Sequence, residues 1–222
     1  MVDPSTFARG AELGFAGVDF YVAGRGGVLG EVDADVIVAT FGFFEPTMVR
    51  DNWAAGCKVM PPLQAAAEFA ACGHRFAEEH VPDDVDSARL AELAGRISDA
   101  ASPVGAPLFA AWRKLDVPSS PKSAALHHLN ALRELRGAMH LAGVLSVGMN
   151  PKDALLVKSA FMAPIFGWSG PFDDVSHLSD TWQQAEDATN RAVAVTFEVL
   201  DESEQAAFVE LTRAFHAGMA KR

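Results

Sequence analysis

Apolar residues recur at spacings of three and four along almost the whole chain, and strict alternation of apolar and polar residues is nearly absent. The first spacing places apolar side chains on one face of an α-helix, whereas half-buried strands need the alternation. The pattern therefore predicts an all-α protein with at most a short hairpin. Helices are expected over 6–23, 34–54, 62–79, 86–101, 105–115, 121–147, 152–165, 177–199 and 202–220.

Short polar residues mark the start of several of these helices. Asp33, Ser120 and Asn150 each precede an apolar helical stretch, and Pro121 and Pro151 follow the last two directly. A side-chain oxygen in this position accepts a hydrogen bond from a free N–H group of the first turn, and proline suits the first helical position. The glycine-rich stretch 24–30 lacks the spacing of a dinucleotide-binding loop and is predicted as a turn.

A proline- and serine-rich stretch at 117–121 divides the chain into two predicted halves, 1–117 and 118–222. The tripeptide Gly-Val-Leu at 27–29 recurs at 143–145, and a short turn and a capped helix follow it in each half. This outline is that of a helix-turn-helix, and it suggests an internal duplication. Chance recurrence in a helical chain explains the few matching positions equally well.

Charge is unevenly distributed along the 222 residues. The chain has 18 Lys and Arg against 29 Asp and Glu, a net charge of −11, which argues against a protein that coats nucleic acid or an anionic membrane. Only the segment 113–160 is rich in basic residues, and these can meet an anionic ligand, DNA phosphate or the acidic segments on either side. The chain begins without a leader pattern, and its longest apolar run, 36–44, is far too short to span a bilayer. We expect a cytoplasmic protein with no membrane association.

The stretch 126–140 carries the side chains best suited to chemistry. His128, Arg136 and His140 follow one another at spacings of eight and four residues, so they lie on one side of a helix. An Arg flanked by His on a partly apolar face is typical of a site for an anionic or polar group, because such side chains are seldom buried without a partner. The alternative is structural: Arg136 pairs with an acidic residue of another helix, and His140 meets a carbonyl group in the core.

No metal site is predicted from these histidines. His128 and His140 are about 18 Å apart along the axis at about 1.5 Å per residue, so one ion cannot bind both. Neither Cys57 nor Cys72 stands at a zinc-binding spacing from another ligand. A single axial bond from His140 to a haem, beside Met139, stays open, and the cofactor is otherwise unknown.

Aromatic residues collect at corresponding places in the two halves, around Phe41 and Trp53 in the first and around Phe161 and Trp168 in the second. Core packing explains them, and so does the lining of a ligand cavity between the halves. In the second case Phe161 and Trp168 join the His and Arg residues of the 128–140 stretch as ligand-binding residues.

Two segments, 105–111 (GAPLFAA) and 126–140 (LHHLNALRELRGAMH), resemble an uncharacterised actinobacterial family labelled helix-turn-helix proteins. The Gly-Trp turn at 167–168 and the acidic final helices are also similar to that family, which is itself similar to winged-helix regulators of the MarR type. The resemblance implies a mostly helical protein of two winged-helix-like halves, and it implies no activity. At 138–139 this chain has Ala-Met where the family has a polar stretch with a carboxylate.

Three functions follow from these patterns. The first is a protein that binds a small, anionic or cofactor-like molecule between the halves, with His140 or His128 as acid or base if it is an enzyme. The second is a MarR-like regulator, although its recognition helix at 150–166 offers few polar side chains and 161–190 has no Lys or Arg, which makes DNA binding unlikely. The third is a structural or partner-binding protein that dimerises through its last amphipathic helix.

Overall fold

A computed structural model describes residues 3–220, and within that range it contains α-helices, short 3₁₀ helices and no strand. The all-α prediction is confirmed, whereas residues 3–220 contain neither the short hairpin that the sequence allowed nor the β-wing that a winged helix would have. The helices are α1 (Pro4–Glu12), α2 (Asp19–Gly26), α3 (Ala34–Phe41), α4 (Pro46–Val59), α5 (Pro62–His80), α6 (Ser87–Ala100), α7 (Pro107–Trp112), α8 (Pro121–Ser146), α9 (Pro151–Ser159), α10 (Ser179–Ala194) and α11 (Glu202–Ala220). The 3₁₀ helices are Gly27–Leu29, Ala160–Met162, Ser176–Leu178 and Val195–Val199.

Two of the predicted helices are each split in two by glycines with positive φ. The stretch 6–23 breaks between α1 and α2, where Gly14 and Gly17 have φ of 95° and 51°. The stretch 34–54 breaks between α3 and α4 at Gly42, whose φ is 43°. Residues with a Cβ seldom adopt this left-handed conformation, so the glycines permit turns that apolar periodicity does not reveal.

Two of the three helix caps that the sequence suggested form as expected. The side chain of Asp33 accepts a hydrogen bond from the Asp35 N–H, and that of Asn150 accepts one from the Lys152 N–H. Ser120 stands at the N-cap of α8, but its hydroxyl instead donates to Glu78 Oε1 at 2.6 Å. The start of α8 is therefore tied to α5 by this hydrogen bond.

The glycine-rich stretch after residue 23 is helical, which corrects its assignment as a turn. Gly24 lies inside α2, and Gly27 opens the 3₁₀ helix that follows. A Cβ at Gly24 would lie 2.5 Å from the Cβ of Phe69, and one at Gly27 would overlap the carbonyl oxygen of Pro62. These glycines are therefore needed for the close approach of α2 to α5.

Gly27→Ala should lower the free energy of unfolding by about 1–3 kcal/mol, because the added methyl group would overlap the Pro62 carbonyl oxygen and force the 3₁₀ helix Gly27–Leu29 away from the start of α5. Gly137→Ala in α8 is the matched control, since a Cβ there meets nothing within 4 Å. The control should gain about 0.5–1 kcal/mol from the higher helix propensity of alanine. Urea unfolding of the two variants measures both changes, and equal effects would contradict the close approach.

Helix α8 is central, and it packs against α5, α6, α7 and α10. One core cluster combines Ile37, Trp53 and Phe109 with Leu135 of α8, so it contains residues from both sides of position 117. The division into 1–117 and 118–222 stays a prediction, as does the internal duplication. The turns before α3 and α9 do share a glycine with positive φ, at 30 and 148.

The last helix contributes to the core of its own chain. Phe208 and Phe215 of α11 are buried with Leu90 and Ile97 of α6 in a second core cluster. The apolar spacing that suggested a dimer is thus used within the chain, and a homodimer stays a prediction.

None of the helices within residues 3–220 has both the length and the hydropathy needed to cross a membrane.

Candidate functional site

An aromatic cavity of about 380 Å³ lies along one face of α8, between it and α2, α3 and α7. Five rings line it: Tyr21, Phe41, Phe43, Phe44 and Phe166. The facing side of α8 contributes Gly137, Ala138, Leu141, Ala142 and Leu145. The cavity is thus mainly apolar, with aromatic rings on one side and aliphatic side chains and a glycine on the other.

The local sequence explains why space is left here. Gly137, Ala138 and Ala142 give α8 a face with little side-chain volume, opposite the aromatic residues around the end of α3. Gly42 caps α3 with a positive φ, and a Cβ there would lie 2.5 Å from Leu141 Cδ2. The turn between α3 and α4 can therefore lie directly on α8, which directs Phe43 and Phe44 toward the cavity.

A buried ion pair forms the polar end of the cavity. Arg25 of α2 donates from Nε to Glu134 Oε1 at 2.9 Å and from Nη2 to Glu134 Oε2 at 2.8 Å. The guanidinium carbon of Arg25 also lies 4.4 Å from the centre of the Phe41 ring, and Nη1 donates to the Tyr21 hydroxyl at 3.5 Å. Only 4% of the Glu134 side chain is exposed. A two-pronged pair of this kind is among the strongest charge-assisted contacts in proteins.

Both members of this pair are charged at neutral pH. Burial alone would raise the pKa of Glu134, but the Arg25 guanidinium, with help from Arg133, holds it below its ordinary value. Burial alone would lower the pKa of Arg25, but Tyr21 and Glu134 raise it well above its usual range. The cavity therefore has a fixed positive and a fixed negative group at one end.

Arg133 adds a second guanidinium at this end. Its Nη1 donates to Glu134 Oε1 at 3.2 Å, and 52% of its side chain is exposed. It lines the aromatic cavity and also a small cavity of about 20 Å³ behind the ion pair, next to Asn130 and Thr6. The smaller space has room for about one water molecule.

The segment 163–168 closes one side of the cavity. Phe166 stacks on Phe44 with ring centres 4.2 Å apart, and its carbonyl oxygen accepts a hydrogen bond from the Glu45 N–H at 2.8 Å. Trp168 Nε1 donates to the Phe43 carbonyl oxygen at 2.8 Å. Trp168 therefore holds this wall in place from outside the cavity.

The structure brings together two of the residues that the sequence suggested, Arg136 and His140, at the contact between α8 and α10. Arg136 Nη2 donates to Glu186 Oε1, and His140 Nδ1 lies 3.1 Å from Thr189 Oγ1 and 3.7 Å from Glu186 Oε2. Burial lowers the pKa of His140, and the nearby carboxylate of Glu186 offsets part of this effect. The structural alternative for Arg136, a pair with an acidic residue of another helix, is the arrangement observed.

The other suggested residues lie apart from these two. His128 faces α6, where a Cβ at Gly95 would lie 3.3 Å from His128 Nε2. Phe161 is 79% exposed. None of the five residues suggested from the sequence, including Trp168, is among those that line the aromatic cavity.

The difference arises from which face of α8 meets the cavity. At about 100° per residue, the face with His128, Arg136 and His140 lies roughly opposite the face with Glu134, Ala138 and Leu141. Sequence reasoning missed Arg25, Arg133 and Glu134 as a group. One signal was present: Arg25 is a long charged side chain inside an apolar, glycine-rich stretch, where a charge is expected to have a partner.

The surroundings of His140 do not fit a haem. One face of its ring stacks on Phe43 with centres 5.4 Å apart, and Trp182 meets it edge-on at 6.3 Å. An axial ligand needs open space for the porphyrin beside its ring, and His140 does not line the aromatic cavity. Among residues 3–220, no three His, Cys, Asp or Glu side chains are grouped as a metal site would require.

Comparison with known proteins identifies the family to which the chain belongs. The model of a family described as a helix-turn-helix family matches residues 1–171. The chain belongs to this helix-turn-helix family. No curated protein and no solved structure matches the chain. Every residue that lines the aromatic cavity falls inside the range matched by the helix-turn-helix family, whereas Trp182, Glu186 and Thr189, which surround His140, lie beyond it.

Proposed function

We propose that this member of the helix-turn-helix family binds a small organic molecule in the aromatic cavity along α8. The observation that carries the proposal is the combination of five aromatic rings with a buried ion pair at one end of one space. Ligand sites in proteins are typically of this kind, mostly apolar with a few polar groups that fix orientation. A volume of about 380 Å³ suits a ligand of modest size.

The cavity also has a route to solvent. Leu145 lines it and is 56% exposed, and Ala142 one turn earlier is exposed as well. A ligand could enter here, between the ends of α3 and α8, without unfolding of the core. The proposal keeps the helix suggested by the sequence, 128–140, but places the site on its opposite face, with polar contacts from Arg25, Arg133 and Glu134.

The charged groups in the cavity favour binding over acid–base catalysis. A general acid or base works best with a pKa near the pH at which it acts. The pKa of Glu134 is shifted down and that of Arg25 up, both away from neutrality. The catalytic candidates from the sequence, His140 and His128, do not line this space.

Phenylnaphthylamine, a neutral dye that fluoresces in apolar surroundings, tests the proposal. We expect it to bind the wild-type protein, and we expect Gly137→Phe to weaken binding at least about tenfold, because the new ring occupies the cavity. Gly137→Ala, which leaves most of the space, should bind the dye almost as the wild type does. Equal binding by all three proteins, with unchanged melting temperatures, would show that the dye binds elsewhere and that the cavity is not the site.

DNA binding is the second candidate, and the family match is the observation that favours it. Its finer form is a MarR-like regulator of actinobacterial origin, with α9 as the recognition helix. The lysines of α9 are engaged with aromatic rings: Lys152 Nζ lies 5.3 Å from the centre of Trp168, and Lys158 Nζ lies 5.2 Å from that of Trp182. Lysines held against aromatic rings are less available to contact DNA phosphates, so DNA binding is the second candidate.

A gel-shift titration against random double-stranded DNA at several salt concentrations separates the two candidates. A regulator should bind in a manner that weakens steeply as salt rises, because each phosphate contact releases counterions. Lys152→Ala and Lys158→Ala should then reduce the affinity. We expect no shift even at the lowest salt concentration, where non-specific binding to DNA is strongest, and a salt-dependent shift lost in these variants would favour the regulator.

A further inference from the structure

We infer that the ligand of the aromatic cavity is a monoanion with an apolar, ring-containing body, and that Arg133 is the residue that binds its carboxylate. This inference rests on the proposed function, since it names the chemical class of ligand and the residue that selects it. It stands on three observations: the net positive charge of the residues that line the cavity, the unused hydrogen-bond donors of Arg133, and the hydrogen bonds that Glu134 already accepts.

The charge balance of the cavity is positive. Among its lining residues Arg25 and Arg133 are cationic and Glu134 alone is anionic. The bidentate pair of Arg25 with Glu134 neutralises one of the two guanidinium groups at the site. A ligand with a single negative charge would bring the group to neutrality, whereas a cation would add to the excess.

Arg133 is the guanidinium with donors to spare. A guanidinium has about five N–H donors, and the contact with Glu134 Oε1 at 3.2 Å accounts for one donor of Arg133. Arg25 is more fully engaged, with two donors on Glu134 and one on the Tyr21 hydroxyl. Arg133 is also half-exposed at the cavity, so an arriving carboxylate can reach it without displacing the buried pair.

Glu134 is poorly placed to bind a cationic ligand. Its carboxylate already accepts three hydrogen bonds, two from Arg25 and one from Arg133. An ammonium group that approached the fourth lone pair would meet two guanidinium groups beside it. The glutamate instead orients Arg133, and the planar guanidinium matches the planar carboxylate in two-pronged contact.

The remaining lining defines the other end of the ligand. Beyond the ion pair the walls are Phe43, Phe44 and Phe166 against Ala138 and Leu141. Phe44 and Phe166 stack on each other, and both line the cavity. Aromatic rings favour a ring or another flat apolar group in offset or edge-to-face contact.

Competition against phenylnaphthylamine with three matched compounds tests the inference: naphthoic acid, naphthalenemethanol and naphthylmethylamine. They share one ring system, and at neutral pH the group at the polar end is an anion in the acid, a neutral hydroxyl in the alcohol and a cation in the amine. We expect the acid to bind about tenfold more tightly than the alcohol, as one charge-assisted hydrogen-bonded contact would provide, and the amine to bind least tightly. Failure of the dye and of all three compounds to bind would refute the proposed function itself, whereas dye binding with no preference for the acid would refute only this inference.

Three variants at two arginines of the same helix identify the residue that binds the carboxylate. Arg133→Met should remove the advantage of the acid over the alcohol and leave the alcohol unchanged, and Arg133→Lys should retain part of that advantage. Arg136→Met, three residues away on α8 and paired with Glu186, should leave both affinities unchanged. If Arg136→Met weakens the acid and Arg133→Met does not, that residue is the arginine suggested by the sequence and our inference is wrong.

Discussion

Glu134→Gln should lower the free energy of unfolding by about 3–5 kcal/mol, because it leaves the guanidinium of Arg25 buried without its counter-charge. The side chain of Arg25 is largely enclosed, and its two strongest hydrogen bonds go to the lost carboxylate. Urea unfolding followed by circular dichroism measures the change. Glutamine has nearly the shape of glutamate, so the loss of stability measures the effect of removing the negative charge.

Two further variants make this result specific to burial. Asp35→Asn removes the partner of Arg50 in an exposed pair, and we expect it to cost less than about 1 kcal/mol. The double variant Arg25→Met, Glu134→Leu replaces the buried pair with apolar side chains and should recover most of the lost stability. A cost for Glu134→Gln no larger than that for Asp35→Asn would show that the pair is not buried as described.

His127→Leu should make the protein more resistant to acid. His127 on α8 is 3% exposed, and neither of its ring nitrogens has a hydrogen-bond partner in the part of the chain that the structure describes. The pKa of His127 is lowered to about 4, mainly by burial and to a smaller extent by the neighbouring His128 and His74. The ring of His74 on α5 lies 5.7 Å away and that of His128 lies 5.4 Å away.

The direction of the pH effect follows from which state binds the proton. The unfolded chain protonates His127 near its ordinary pKa of 6.5, whereas the folded chain does so only near 4. Between these values the unfolded state binds more protons, so stability falls as the pH falls, by up to about 3 kcal/mol at the acidic end. Burial also lowers the pKa of His74 and of His128. Glu78 beside His74 and Asp99 beside His128 raise these pKa values and so offset part of that effect.

Urea midpoints at neutral pH and at about pH 4.5 measure this contribution. Wild type should lose much more stability on acidification than His127→Leu, and the variant should not be destabilised at neutral pH, because a buried polar group without a partner is replaced by an apolar one. His177→Leu, at an exposed histidine, should behave as the wild type does. Identical acid sensitivity in all three proteins would contradict a buried, neutral His127.

The sequence was sufficient to predict α8 almost to the residue. Its apolar spacing and the proline at its first position gave 121–147, and the helix runs from Pro121 to Ser146. The sequence was not sufficient to choose the functional face. Helix α8 is packed by other helices on several sides, so polar residues on opposite faces both look like candidates. Periodicity describes one helix at a time and does not say which neighbour covers each face.

The ion pair was hidden for a related reason. Arg25 and Glu134 are 109 positions apart, and no local pattern links them. The glycines around Arg25 predicted a turn, although they serve the close approach of α2 to α5 at Phe69 and Pro62. Tertiary contact overrode local propensity at this point, and the charged residue in its middle became part of the site.

A crystal structure of the protein with naphthoic acid is the most direct test of the cavity as a ligand site. We predict that the naphthalene ring lies against Phe44 and Phe166 and that the carboxylate lies within hydrogen-bonding distance of the Arg133 guanidinium. Ligand bound at another place, or an empty cavity in crystals grown with saturating naphthoic acid, would contradict the account.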